Sequence, residues 1–128
     1  MEKEEKKLDV TERINTFEDA LKETGSPAVP DFADSPEELR EYFQGQYMGV
    51  VLAKAYNEGK EVDWNNPNQK KYYAYFNTFS GVFVFYGAGY CCSLAFAGDG
   101  SRLCFLKEKH AEDAGRKFPE IYAKILQK

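Results

Sequence analysis

No stretch of this chain approaches the roughly 20 uninterrupted apolar residues that a membrane-spanning helix requires, and its opening residues, MEKEEKK, lack the apolar centre of a secretion signal. The expectation from both absences is a cytoplasmic protein with no membrane partner. Cysteine is scarce as well: Cys91 and Cys92 are adjacent and Cys104 stands between apolar neighbours, an odd count with no framework spacing. That pattern excludes a disulfide scaffold and predicts reduced, mostly buried thiols. Histidine occurs once, at His110, and tryptophan once, at Trp64.

The usual catalytic signatures are missing too. There is no GxSxG, no phosphate-cradling P-loop and no HExxH. Cys91, Cys92, Cys104 and His110 could in number supply four zinc ligands. Structural zinc sites, however, draw sulfurs from CxxC-type turns, whereas neighbouring strand residues point to opposite faces. A cysteine nucleophile would need His110 as its base, and Cys104 with Phe105 and Leu106 beside it is expected to fill the core instead. No motif implies a metal or any other cofactor, so the cofactor expectation is none. The carboxylates fall on expected solvent faces and suggest no acid–base pair.

What is abundant is aromatic and charged. The 128 residues include 9 Tyr and 10 Phe, ample apolar surface to order one domain, expected over residues 10–128 behind a disordered tail at 1–9. The net charge of −4 hides an asymmetry: residues 1–69 carry 16 acidic and 8 basic side chains, and residues 70–128 carry 5 and 9. The two halves should attract, with a basic sheet-and-helix portion resting on acidic helices.

Val10, Ile14, Phe17 and Leu21 follow helical spacing, with Thr16 and Asp19 able to cap a second start and Gly25 to end the run. Ser26 to Asp34, with Pro27 and Pro30, reads as a loop anchored by Val29 and Phe32. A second helix is expected to start at Ser35 as N-cap, with Pro36 in its first position and Glu38 closing a capping box, and to stop near Gly59. Its Gly45 and Gly49 predict close packing against the sheet or another helix. The turn-rich stretch from Glu61 to Asn68 leaves Trp64 to plug the edge of the core.

Strands are expected at 70–77, at 82–86, at 90–96 as a new strand or the continuation of a bulged one, and at 101–106. The helix from Lys107 onward should kink near residues 115–118, ahead of Pro119. The fold class is therefore α+β: a short antiparallel sheet of three or four strands packed by about three helices.

Nine rings fall between Tyr72 and Tyr90, a span of nineteen residues. Alternation puts Tyr72 and Phe76 on one face with Tyr73 and Tyr75 on the other, and Phe83 and Phe85 opposite Val82, Val84 and Tyr86. If helices cover one face alone, Tyr73, Tyr75 and Tyr86 meet solvent beside Lys70, Lys71 and Arg102. Such a surface suits protein contact or self-association, because tyrosine joins apolar area to a hydrogen-bonding tip. It also suits single-stranded nucleic acid, whose bases stack on rings and whose phosphates need cations. Against that second reading, the overall charge is negative, and GVFVFY matches the hydrophobic tail of an RNA-recognition signature without its basic start.

Several segments together resemble a group of small proteins from phage, prophage and mobile-element settings of gut bacteria. They are TFEDALKETG (Thr16 to Gly25), NEGKEVDWNN (Asn57 to Asn66), KKYYAYF and GSRLCFL, then the helix with Ala111, Ala114, Gly115 and Phe118. The likeness spans most of the chain. It departs at Ala74-Tyr75, where that group carries Pro-Trp, so any role for a ring there falls to Tyr75. The group has no established activity, and the resemblance implies an accessory cytoplasmic protein without adding chemistry. The leading expectation is a non-catalytic binding module. Single-stranded nucleic-acid binding is the first alternative, and a small enzyme using Cys104 or His110 the second.

Overall fold

The computed structural model describes residues 8–78, 83–91 and 101–127. The first helical run is divided as its caps require. Helix α1 (Val10–Arg13) starts at Asp9, whose carboxylate accepts from the Thr11 amide. Helix α2 (Phe17–Thr24) starts at a reciprocal capping box of Thr16 and Asp19 and ends on Gly25 at φ 65°. Residues 1–7 of the expected tail lie outside the described residues.

Helix α3 (Glu37–Tyr56) begins one residue later than a Ser35 cap would start it. The expected capping box does not form: Pro36 occupies the N-cap with no side-chain bond, and the Ser35 carbonyl is taken by Arg40 Nε. The Ser35 amide instead closes a turn onto the Phe32 carbonyl, and Phe32 packs on Phe43 with ring centroids 5.6 Å apart.

At the other end, Asn57 caps the helix and Glu58 and Gly59 turn the chain at φ 54° and 78°. Gly45 and Gly49 do admit close neighbours, the last helix at both and Leu103 as well at Gly49. A Cβ on Gly45 would stand 2.7 Å from Lys124 Cβ, and one on Gly49 would stand 3.3 Å from Ile125 Cδ1.

The sheet is smaller than expected. Strands β1 (Lys71–Asn77) and β2 (Val84–Cys91) form one antiparallel pair, and among the described residues there is no third strand. The 101–106 segment fails as a strand for a visible reason. Ser101–Leu103 turns as a short 3₁₀ helix, leaving Phe105 to make a single bridge to Tyr72 with two 2.8 Å backbone bonds. Its other side is held by a side chain: Asn57 Nδ2 donates to the Cys104 carbonyl, and the Leu106 amide donates to Asn57 Oδ1, each at 2.9 Å. The Gly87-Ala88-Gly89 stretch does not interrupt β2. Residues 79–82, where the first expected strand gives way to the second, and the 92–96 part of the third lie outside the described residues.

The terminal helix is fully broken, not kinked. Helix α4 (Glu108–Lys117) ends at Phe118, which leaves helical geometry at ψ 43°, and helix α5 (Pro119–Leu126) restarts with Pro119 in its first turn. Proline lacks the amide that would have continued α4, and that lack costs nothing at a helix start.

The core lies where α3, α4 and α5 meet the inner face of the hairpin, around fully buried Tyr56, Phe105, Ile121 and Leu52. Acidic and basic halves are joined at Asp9–Lys109 and Glu41–Lys124, as the charge asymmetry predicts. No helix among the described residues is long and apolar enough to cross a membrane.

Candidate functional site

The hairpin places its described phenylalanines on the inner face, together with Tyr72, and three tyrosines on the outer one. On the inner face Phe76 stacks on Phe83 at 4.6 Å and meets Tyr122 of α5 at 5.3 Å, while Phe85 lies against Gly115 of α4. On the outer face stand Tyr73, Tyr75 and Tyr86. A phenol ring can meet solvent because its hydroxyl stays hydrated, whereas a phenylalanine ring leaves water more readily.

A bulge makes this sorting possible. Tyr75 pairs with Gly87, yet Phe76 pairs with Phe85, so Tyr86 is an extra residue in β2. Without it, strict alternation from Gly87 would turn Phe85 outward. With it, Phe85 packs inward and Tyr86 comes beside Tyr75, ring centroids 5.5 Å apart. Tyr73 follows at 6.4 Å from Tyr75.

The tyrosines lean across the neighbouring strand. Tyr73 pairs with Gly89, and a Cβ there would stand 2.9 Å from the Tyr73 hydroxyl; a Cβ on Gly87 would stand 3.1 Å from the Tyr75 hydroxyl. Glycine at both positions gives the rings a seat, a role for Gly87 and Gly89 that the sequence reading did not assign. The signal was present as glycines alternating with Ala88, but it becomes legible only once the bulge sets the register. Tyr86 is 66 % exposed and Tyr75 41 %, whereas Tyr73 is half-buried. Among the described residues no helix covers this face; α4 lies on the other.

The expected cations are not gathered here. Lys71 is fully buried: its ammonium donates to the Asn66 and Gln69 carbonyls at 3.0 Å each and lies 5.3 Å from the centroid of half-buried Trp64. Lys70 sits 4.7 Å over Tyr90, the cross-strand partner of inward-facing Tyr72. Arg102, on the 3₁₀ turn, lines a cleft with residues from the end of α3. Among the described residues no cation lies over the ring of Tyr75 or Tyr86.

The nucleophile reading also lacks its geometry. Cys104 and His110 are both buried, but neither imidazole nitrogen has a hydrogen-bond partner, so no thiol–imidazole pair exists. His110 packs 5.8 Å from the Tyr56 ring, and burial, assisted by Lys107, pushes its pKa below the ordinary value. Tyr56 donates to Asp113 at 2.7 Å; desolvation and this carboxylate raise its pKa well above the ordinary phenol range. Asp113 in turn pairs with Lys117 at 2.9 Å, and Lys117 also donates to the Ile14 carbonyl at 2.8 Å. This chain of contacts ties α1 and α3 to α4. Among the described residues no group of three or more potential metal ligands converges.

Comparison with protein-family models, with curated proteins and with solved structures yields no match to this chain.

Proposed function

We propose that this chain is a non-catalytic binding module that engages another protein surface through the outer tyrosine face of its hairpin. The observation that carries the reading is the exposure of Tyr75 and Tyr86 side by side on a strand pair, with Tyr73 continuing the row. Tyrosine is enriched at protein contacts because a large, stiff ring loses little entropy on binding while its hydroxyl finds a partner. Single-stranded nucleic acid is the weaker reading, since Lys71 is committed to backbone carbonyls and Arg102 borders a different cleft. We take the site of action to be the cytoplasm, and the resemblance to phage and mobile-element proteins favours an accessory role there.

A photoreactive phenylalanine at position 86, introduced in the cells that make the protein, tests this. The expected result is a discrete protein adduct, identified by mass and lost on Tyr75→Ser, with no such adduct from the same group at Lys22. A nucleic-acid adduct would replace the reading with its alternative, and no discrete adduct would reject both.

A further inference from the structure

Beyond the hairpin, the end of α3, the turn that follows it and the 3₁₀ segment enclose a cleft of about 410 Å³, within the range of small-molecule sites. Its apolar lining comes from Val50, Ala53 and Val62. Lys54, Lys60 and Arg102 also line it, against one carboxylate, Glu61.

This gathering of cations runs against the rest of the molecule. The chain is acidic overall, and the described cations mostly find partners: Arg13 with Glu23, Lys109 with Asp9, Lys117 with Asp113, Lys124 with Glu41, and Arg40 with two carbonyls. Among the described residues, the cationic side chains with no hydrogen bond, ion pair or ring contact are Lys22, Lys107 and these three. Three like charges around one concavity repel each other, and among the described residues no carboxylate forms an ion pair with any of them.

The C-terminal dipole of α3 accounts for part of this, since it favours cations in the last turn. It amounts to about half a charge, and carbonyls near that end are already occupied: Ala53 accepts from the Asn57 amide, and Lys54 from the Gly59 amide at 3.2 Å. Dipole and Glu61 together leave the lining roughly one and a half charges positive.

We propose that this cleft binds a small organic oxyanion, a phosphate or carboxylate carried on an apolar body. Arg102 offers the planar fork that grips two oxygens at once, and Lys54 and Lys60 act as point charges beside it. Val50, Ala53 and Val62 receive the apolar part.

Calorimetric titration of the full chain tests the site with three probes: ADP for phosphate, citrate for carboxylate, and adenosine as the uncharged control. Either ADP or citrate should saturate with a Kd below about 1 mM, weaken at least about tenfold in both Arg102→Ala and Lys60→Ala, and weaken further as salt rises. Adenosine should not saturate. Which probe binds assigns the oxyanion class. The proposal fails if neither anion saturates by about 5 mM, if adenosine binds as well as ADP, or if both variants bind like the native chain. Both side chains are exposed, so folding should survive either change, and far-ultraviolet circular dichroism verifies that it has. A Tyr75→Ser/Tyr86→Ser variant should bind the anion unchanged, which separates this site from the hairpin face.

Discussion

The two faces of one hairpin are built from almost the same residues and do opposite work. Inward, Phe76, Phe83 and Phe85 pack with α4 and α5 around a glycine that lets the helix approach; outward, Tyr73, Tyr75 and Tyr86 lean over glycines of the sheet itself. Inward-facing Tyr72 aside, these two sets of rings differ by one oxygen atom each, and one extra residue in β2 sets their sides. A ring count says that a strand pair is aromatic. Which rings pack inward and which meet solvent depends on the hydroxyl and the bulge.

Removing an inward ring should break the contrast most strongly. Phe76→Ala is expected to cost about 2–4 kcal/mol in chemical denaturation, because the rings of Phe83, Phe85 and Tyr122 would face a cavity. Gly115→Ala comes next. Its new Cβ would lie 2.3 Å from Phe85 Cδ1 and 3.0 Å from Ala74 Cβ, so the loss from overpacking should be about 1–3 kcal/mol despite alanine's better helix propensity.

Acid should act on the inner side as well. Folded His110 resists the proton that the unfolded chain accepts near pH 6.5, so its contribution is whole above that pH and declines as pH falls toward the depressed folded value. The groups around it are Asp9 before α1, Glu58 after α3, and Lys107 and Lys109 of its own segment. Denaturant midpoints measured from pH 7 to 5 should decrease in the native chain and decrease less in His110→Leu. Asp9, held down to about 2 by the Thr11 hydroxyl and amide, acts in a separate window: its contribution is complete above about 3.8 and lost as pH falls through 2. The outward rings should matter least to stability. Tyr75→Ala and Tyr86→Ala are each expected to shift it by less than about 1 kcal/mol, and an equal loss to Phe76→Ala would erase the distinction between the faces.

Local chemistry made much of this legible in advance. Thr16 and Asp19 announced a helix start, Gly25 a stop, and the alternation of Tyr73 and Tyr75 against Tyr72 and Phe76 held in three dimensions. Features that depend on distant partners were not legible. Ser35 had the composition of a cap, but its carbonyl went to Arg40 and its amide to a turn. Lys71 looked like a surface cation because nothing in KKYY records that the loop before it wraps the ammonium in carbonyls. The cleft around Arg102 joins positions forty or more residues from it in the chain, so no local pattern could mark it. The 101–106 segment had the composition of a strand and lost that form to a 3₁₀ turn and an asparagine.

That asparagine bears on the order of assembly. Asn57 grips a segment 47 to 49 residues further along the chain, so its two bonds can form only after the long intervening loop has closed and α3 has already ended. Contacts of such separation reward the chain late, once the entropy of closure has been met. We expect the clamp to form on the downhill side of the folding barrier. Its strength should govern how slowly the finished molecule opens more than how fast it assembles, making one side chain at a helix end a latch on the lifetime of the folded state.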